Sequence, residues 1–235
     1  MSKKETKRVM LILTAIILTL SCNKINDPKD EPSGGTGIKI GGVTWAKSNV
    51  GDPGTFVPSE IDYGKYYQWN NKVVWDGVSD NTFWQVSWDG GYPTSGQGSW
   101  DSVNDPCPSG WRVPTKNEFE ALYKACFSGE NGKNPIGESG WKKVGHYKEN
   151  INAGVLFDDG KGNKLFLPAS GYTSFLYSKA TDVAFKDYTG YYWSSTSFTN
   201  LSYYLELDYG AGSPTVSPYK TWKRNCGGSI RCVKK

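Results

Sequence analysis

Asp105–Tyr123, DPCPSGWRVPTKNEFEALY, holds the most legible element of this chain of 235 residues. Pro114-Thr115 opens a helix. Thr115 is placed to accept from the backbone of Glu118 and Glu118 to reach back, which is the capping box T-x-x-E. Phe119, Leu122, Tyr123 and Cys126 follow at i, i+3, i+4 and i+7, a single apolar stripe. The sequence therefore predicts an amphipathic helix over 115–126 with that stripe turned to a core. Glu118 is read as a cap before it is read as a catalytic acid.

Around this helix the chain reads as short strands. Ile38–Ala46, Tyr66–Asn70, Val155–Phe157, Leu165–Leu167, Tyr191–Ser195, Tyr203–Asp208 and Ile230–Val233 are rich in β-branched and aromatic residues. Asp159-Gly160-Lys161-Gly162-Asn163 is a hairpin turn signal and lacks the alternating oxygen ligands of a calcium loop. With 28 Gly and 12 Pro the chain is loop-rich. The expected class is α+β, short twisted antiparallel strands around at least one amphipathic helix. No second linker or internal repeat interrupts residues 38–235, which read as a single domain with a sizeable core.

The N-terminal segment reads as an address. Val9–Leu20 carries no charge, but twelve residues of helix span about 18 Å, short of a hydrocarbon core of about 30 Å. A charged start, this apolar run and a small-residue ending describe a secretory signal over residues 1–21. Leu18-Thr19-Leu20-Ser21-Cys22 resembles a bacterial lipobox, which implies that Cys22 carries the lipid and becomes the new N-terminus. Residues 22–37 then form the lipidated cysteine and a polar, flexible tether. Lys29-Asp30-Glu31 is similar to the acidic signals of surface-displayed lipoproteins. The expected location is the cell envelope, lipid-anchored, at the outer membrane and exposed on the surface.

Charge and composition exclude several classes. Lys3, Lys4, Lys7 and Arg8 against Glu5 give residues 1–21 a net +3 of the chain's +4, so the remainder lacks the basic stripe of a nucleic-acid protein. A lone histidine, His146, excludes zinc sites built on several histidines of this chain and disfavours a serine or cysteine triad. Neither a metal site nor a cofactor is read from the sequence, and no catalytic residue. The 10 Trp, 15 Tyr and 9 Phe all follow residue 44. Trp69, Trp75, Trp84, Trp88 and Trp100 are expected to pack inside with their indole N–H groups hydrogen-bonded.

Taken in order, GGVTWAKSNV, YGKYYQWN, DPCPSGWRVPTKNEFEALY, LPASGY, GYYWSSTS and SIRCVK resemble the Fibrobacter succinogenes major paralogous domain over about residues 38–235. The resemblance implies a C-type lectin-like fold, shared with formylglycine-generating enzymes and bacterial variable receptor proteins. It implies a secreted lipoprotein context and assigns no activity.

Apart from Cys22 the chain has Cys107, Cys126, Cys226 and Cys232. An even count in an exported chain favours two disulfides, and four cysteines allow three pairings. Cys107 and Cys232 fall within motifs that carry the resemblance, which implies that they pair and leaves Cys126 for Cys226. True lectin-like domains imply the alternative of Cys126 with Cys232, a bridge from helix to last strand.

Three functions follow as expectations. The first is non-catalytic recognition of a surface glycan or protein through Phe198, Asn200, Tyr204, Tyr209, Tyr219 and Trp222, bulky rings among adaptable polar residues. Strand alternation puts Tyr203, Leu205 and Leu207 inside and Tyr204 outside. In retroelement-diversified receptors of this kind, residues 198–224 would be the variable ligand face. The second is a structural or adhesin subunit of a surface assembly. The third is a copper-dependent oxidase of the formylglycine-generating type, which needs a pair of thiolates from Cys226 and Cys232. Calcium-dependent sugar binding lacks its paired carboxylate and amide motifs.

Overall fold

The computed structural model describes residues 35–75, 99–128, 134–146, 150–173, 175–176, 179–180, 183–210 and 214–235, all within one compact unit, Glu31–Lys235. The expected signal segment 1–21, Cys22, most of the expected tether, Trp84 and Trp88 lie outside the described residues.

Along the chain run β1 (Ile38–Ile40), β2 (Val43–Trp45), β3 (Tyr66–Gln68), β4 (Val74–Trp75) and β5 (Trp111–Arg112). Helix α1 (Lys116–Cys126) is followed by β6 (Phe127–Ser128), β7 (Asn134–Pro135), β8 (Gly140–His146), β9 (Asn150–Asp158) and β10 (Lys164–Pro168). The chain closes with β11 (Phe175–Leu176), β12 (Lys179–Ala180), β13 (Thr189–Phe198), β14 (Leu201–Asp208), β15 (Thr215–Lys223), β16 (Gly227–Gly228) and β17 (Val233–Lys234). The strands form small antiparallel sheets. The four larger ones have the orders β1-β2-β17-β5, β10-β9-β8, β13-β14-β15 and β16-β3-β4.

Local chemistry accounts for the turns. The expected strand Ile38–Ala46 is a hairpin instead, because Gly41 and Gly42 both adopt positive φ (63° and 80°), the backbone that a two-residue turn between twisted strands requires. Asp159 closes β9 onto β10 by accepting from the backbone N–H of Lys161 at 2.8 Å and the side chain of Asn163 at 2.7 Å. At α1 the capping box forms as the sequence predicts, with Thr115 accepting from Glu118 N and Glu118 from Thr115 N.

Packing outweighs the cap. A cap is worth about 1 kcal/mol, whereas each buried Leu or Phe side chain contributes about 1.5–3 kcal/mol. Phe119, Leu122, Tyr123 and Cys126 are all buried, against Trp45, Phe157, Leu165, Tyr192, Leu205 and Val216. A second core lies across β13, where Tyr67, Trp69, Trp100, Trp111, Trp193, Tyr204 and Ile230 pack together. Adjacent residues Tyr192 and Trp193 thus enter different cores, as strand pleating demands. Trp69 and Trp100 are buried with their indole N–H groups donating to Ser194 O and Asn104 O, 2.8 and 2.9 Å away.

Cys107 and Cys232 form a disulfide. The expected partner bridge, Cys126 with Cys226, does not form, and both residues remain buried thiols. Cys126 sits in the helix stripe of the first core, whereas Cys226 follows β15 near Asn225, whose Oδ1 accepts from its thiol at 3.8 Å. Beside the disulfide, Arg231 is fully buried and donates to Ala46 O and Phe166 O at 3.1 and 3.2 Å, joining the segment after β2 to β10.

Candidate functional site: an aromatic groove beside β13 and β14

The sheet β13-β14-β15 supplies the scaffold of the site, and two irregularities shape it. The first is Ser194-Ser195-Thr196, where the β13–β14 register slips. Freed from the ladder, these groups clasp neighbouring loops. Ser194 O accepts from Trp69 Nε1 at 2.8 Å, Ser195 N donates to Pro114 O at 2.6 Å, and Ser195 O accepts from Trp100 N at 2.9 Å. Thr196 Oγ1 accepts from Lys116 N at 3.1 Å, satisfying a backbone donor in the first turn of α1. The YWSST motif is therefore a structural clasp.

The second irregularity lies between Tyr204 and Glu206, where β15 holds Pro218-Tyr219 against the single residue Leu205. Proline is at home in such a bulge because it has no ladder donor. Tyr204 and Leu205 are nonetheless both buried, which corrects the expectation that Tyr204 points outward: it is 5% exposed. The sheet is covered on both faces here, so alternation selects between two cores and not between core and water.

The six sequence candidates do not converge. Phe198 and Asn200 sit at the exposed β13–β14 turn, with the Phe198 ring 5.5 Å from Tyr203. Tyr219 is exposed on the helix side, 6.4 Å from the Tyr123 ring. Tyr209 is exposed at the far end of β14, roughly 30 Å along the strand from Asn200 at about 3.4 Å per residue. Trp222 is half-buried on the opposite face, its ring 4.8 Å from Tyr191 and 5.0 Å from Tyr172.

What the fold does bring together is a groove of about 300 Å³ lined by Tyr172, Phe185, Tyr188, Thr189, Tyr191, Asp208 and Gly210. Tyr172 stacks on Tyr191 at 4.5 Å and on Phe185 at 5.9 Å. Trp222 packs edge-on behind both tyrosines, and Tyr204 leans on Tyr191 at 4.6 Å. Burial first, then the carboxylate of Glu206, drives the Tyr191 and Tyr204 hydroxyls far above the ordinary tyrosine range, so these rings stay neutral.

The loop 183–188 presents two of the lining rings. Phe185 and Asp187 have positive φ (56° and 67°), backbone that non-glycine residues hold only when their surroundings enforce it. The enforcement is visible. Asp187 Oδ1 accepts from Tyr63 OH at 2.6 Å and from Ala153 N at 3.0 Å, and Phe185 O accepts from Tyr188 N and Thr189 N at 3.1 and 2.9 Å. Tyr172 and Ala184 exchange backbone hydrogen bonds of 3.2 and 2.8 Å. Gly171 makes that approach feasible, since its φ is +74° and a Cβ there would lie 2.3 Å from Ala184 O. Thus anchored, the loop turns Phe185 and Tyr188 outward, 59% and 58% exposed.

The residues singled out from the sequence begin at Phe198 and leave this loop out. The available signal was Phe185 and Tyr188 set among Lys186, Asp187 and Thr189, aromatic residues in a polar turn. The pair of thiolates that copper(I) chemistry would take from Cys226 and Cys232 is absent, because Cys232 is bonded to Cys107. Among the described residues no group of three or more His, Cys, Asp or Glu side chains is arranged to hold a metal ion. Comparison with family models, with curated proteins and with solved structures finds no match for this chain.

Proposed function

We propose that the chain is a lipid-anchored protein of the cell envelope whose folded part is a C-type lectin-like, non-catalytic recognition module for a glycan or protein outside the cell. The observation that carries this reading is the anchored presentation of Phe185 and Tyr188 beside the groove. Rings left more than half exposed on a strained backbone cost stability and, beyond the stack of Phe185 on Tyr172, return little packing, whereas rigid aromatic side chains provide large contact area at low entropy cost on binding. In this reading Tyr172, Phe185, Tyr188 and Tyr191 make the contact surface, Trp222 supports it from behind, and Tyr209 extends it through the Tyr209 N bond to Tyr188 O at 2.8 Å. Phe198, Asn200 and Tyr219 lie outside it.

The test is a binding screen of the full chain against glycan arrays and surface proteins, repeated with Phe185→Ala and Tyr188→Ala. Loss of a ligand at unchanged melting temperature supports the reading. A wild-type ligand that both variants retain removes the groove from it.

A further inference from the structure

Resting on that reading of the groove as a recognition site, the composition of its lining narrows what enters. We infer that the groove takes a quaternary ammonium group. Among the described residues, four aromatic rings, from Tyr172, Phe185, Tyr188 and Tyr191, share the lining with the charged Asp208. Asp208 Oδ1 accepts from Gly210 N at 2.8 Å, and its carboxylate forms no ion pair among the described residues. Lys186 lies over the Tyr63 ring at 5.4 Å, and Lys220 pairs with Glu206 at 3.5 Å.

Tyr172 and Tyr191 spend ring faces on each other, on Phe185 and on Tyr204, so the exposed rings of Phe185 and Tyr188 are the ones that offer a cation the negative potential of their faces, and each ring in contact strengthens its binding roughly two- to thirtyfold. A half-buried carboxylate that forms no ion pair among the described residues acts in the same sense. A primary ammonium would bring three N–H donors that each need an acceptor on leaving water. Methyl groups on nitrogen need none and pack on ring faces. A neutral sugar would need several polar side chains for its hydroxyls. Besides tyrosyl hydroxyls, the described lining offers Asp208 and Thr189, and Thr189 Oγ1 already donates to Phe185 O at 3.5 Å.

The experiment titrates the full chain with choline, with its uncharged isostere 3,3-dimethyl-1-butanol and with n-butylammonium, read by calorimetry or ligand-observed NMR. Choline is expected to bind about tenfold tighter than either competitor. Tyr188→Ala and Asp208→Asn are each expected to weaken choline about tenfold at unchanged melting temperature, since Asn keeps an acceptor for Gly210 N. Equal binding of the isostere or of butylammonium overturns the inference, and so does no binding of choline. If choline fails while a glycan or protein from the screen still depends on Tyr188, the ammonium inference falls and the recognition reading stands. If no ligand depends on Tyr188 or Phe185, the recognition reading falls with it.

Discussion

Arg112 and Glu118 meet as a two-pronged pair at the start of α1, Nη1 to Oε2 at 2.8 Å and Nη2 to Oε1 at 2.5 Å. The same Oε2 accepts from Thr115 N at 2.7 Å, so one carboxylate closes the cap and ties it to β5. Burial alone would raise the Glu118 carboxyl, but the Arg112 guanidinium and the Thr115 donors outweigh it and hold the group below the usual carboxylate range. A lowered folded-state pKa means stability that is fully present above the ordinary value of about 4.3 and lost as pH falls through the folded value. Glu118→Gln is expected to cost about 1–2 kcal/mol at neutral pH. Melting temperatures measured across acid pH should converge for variant and wild type below that folded value.

Cys107 and Cys232 close a loop with a sequence separation of 125 residues. By the chain-entropy model such a bridge contributes about 4–5 kcal/mol, a large share of the about 5–15 kcal/mol typical of a domain. Replacing both cysteines by serine should move the urea midpoint down by a corresponding amount. Peptide mapping without reductant should recover the 107–232 link and none between Cys126 and Cys226.

Burial pushes the Cys126 thiol up to about 12, with Asp159 and Asp158 adding to the effect. Only the thiolate reacts with alkylating agents, so iodoacetamide should leave Cys126 unmodified in the native protein at pH 8. Mass spectrometry should find it labelled once guanidinium unfolds the chain.

Asp187→Ala removes the acceptor shared by Tyr63 OH and Ala153 N. A buried donor left without its partner costs about 1–3 kcal/mol. The melting temperature should fall, and any ligand of the groove should bind more weakly because loop 183–188 loses its anchor. Asp187→Asn, which keeps one acceptor oxygen, should recover part of both.

The elements legible in the sequence are those whose causes are local. Thr115 and Glu118 announce the helix three residues apart, and Asp159 with Asn163 announces a turn within five residues. The expectation for Tyr204 failed because alternation assumes one wet face, and nothing in the residues near 204 reveals that Trp193 and Trp222 cover the other. β15 went unread because Pro218 and two lysines interrupt its pattern, a sequence that a bulge tolerates. The groove was hidden for the same reason of distance. Its loop is held by Tyr63, 124 residues away from Asp187, and its floor by Tyr172 and Trp222. Cysteine parity was a poor guide to Cys126 and Cys226 because counting says nothing about which thiols the core draws in.

β17 is an inner strand, flanked by β2 on one side and β5 on the other. Val233 pairs with both Trp45 and Arg112. A chain emerging N-terminus first from the ribosome therefore keeps β2 and β5 apart with a gap between them until residue 233 arrives. Until β17 pairs, open strand edges are exposed to pairing with other chains, the interval in which a holding chaperone has most to protect.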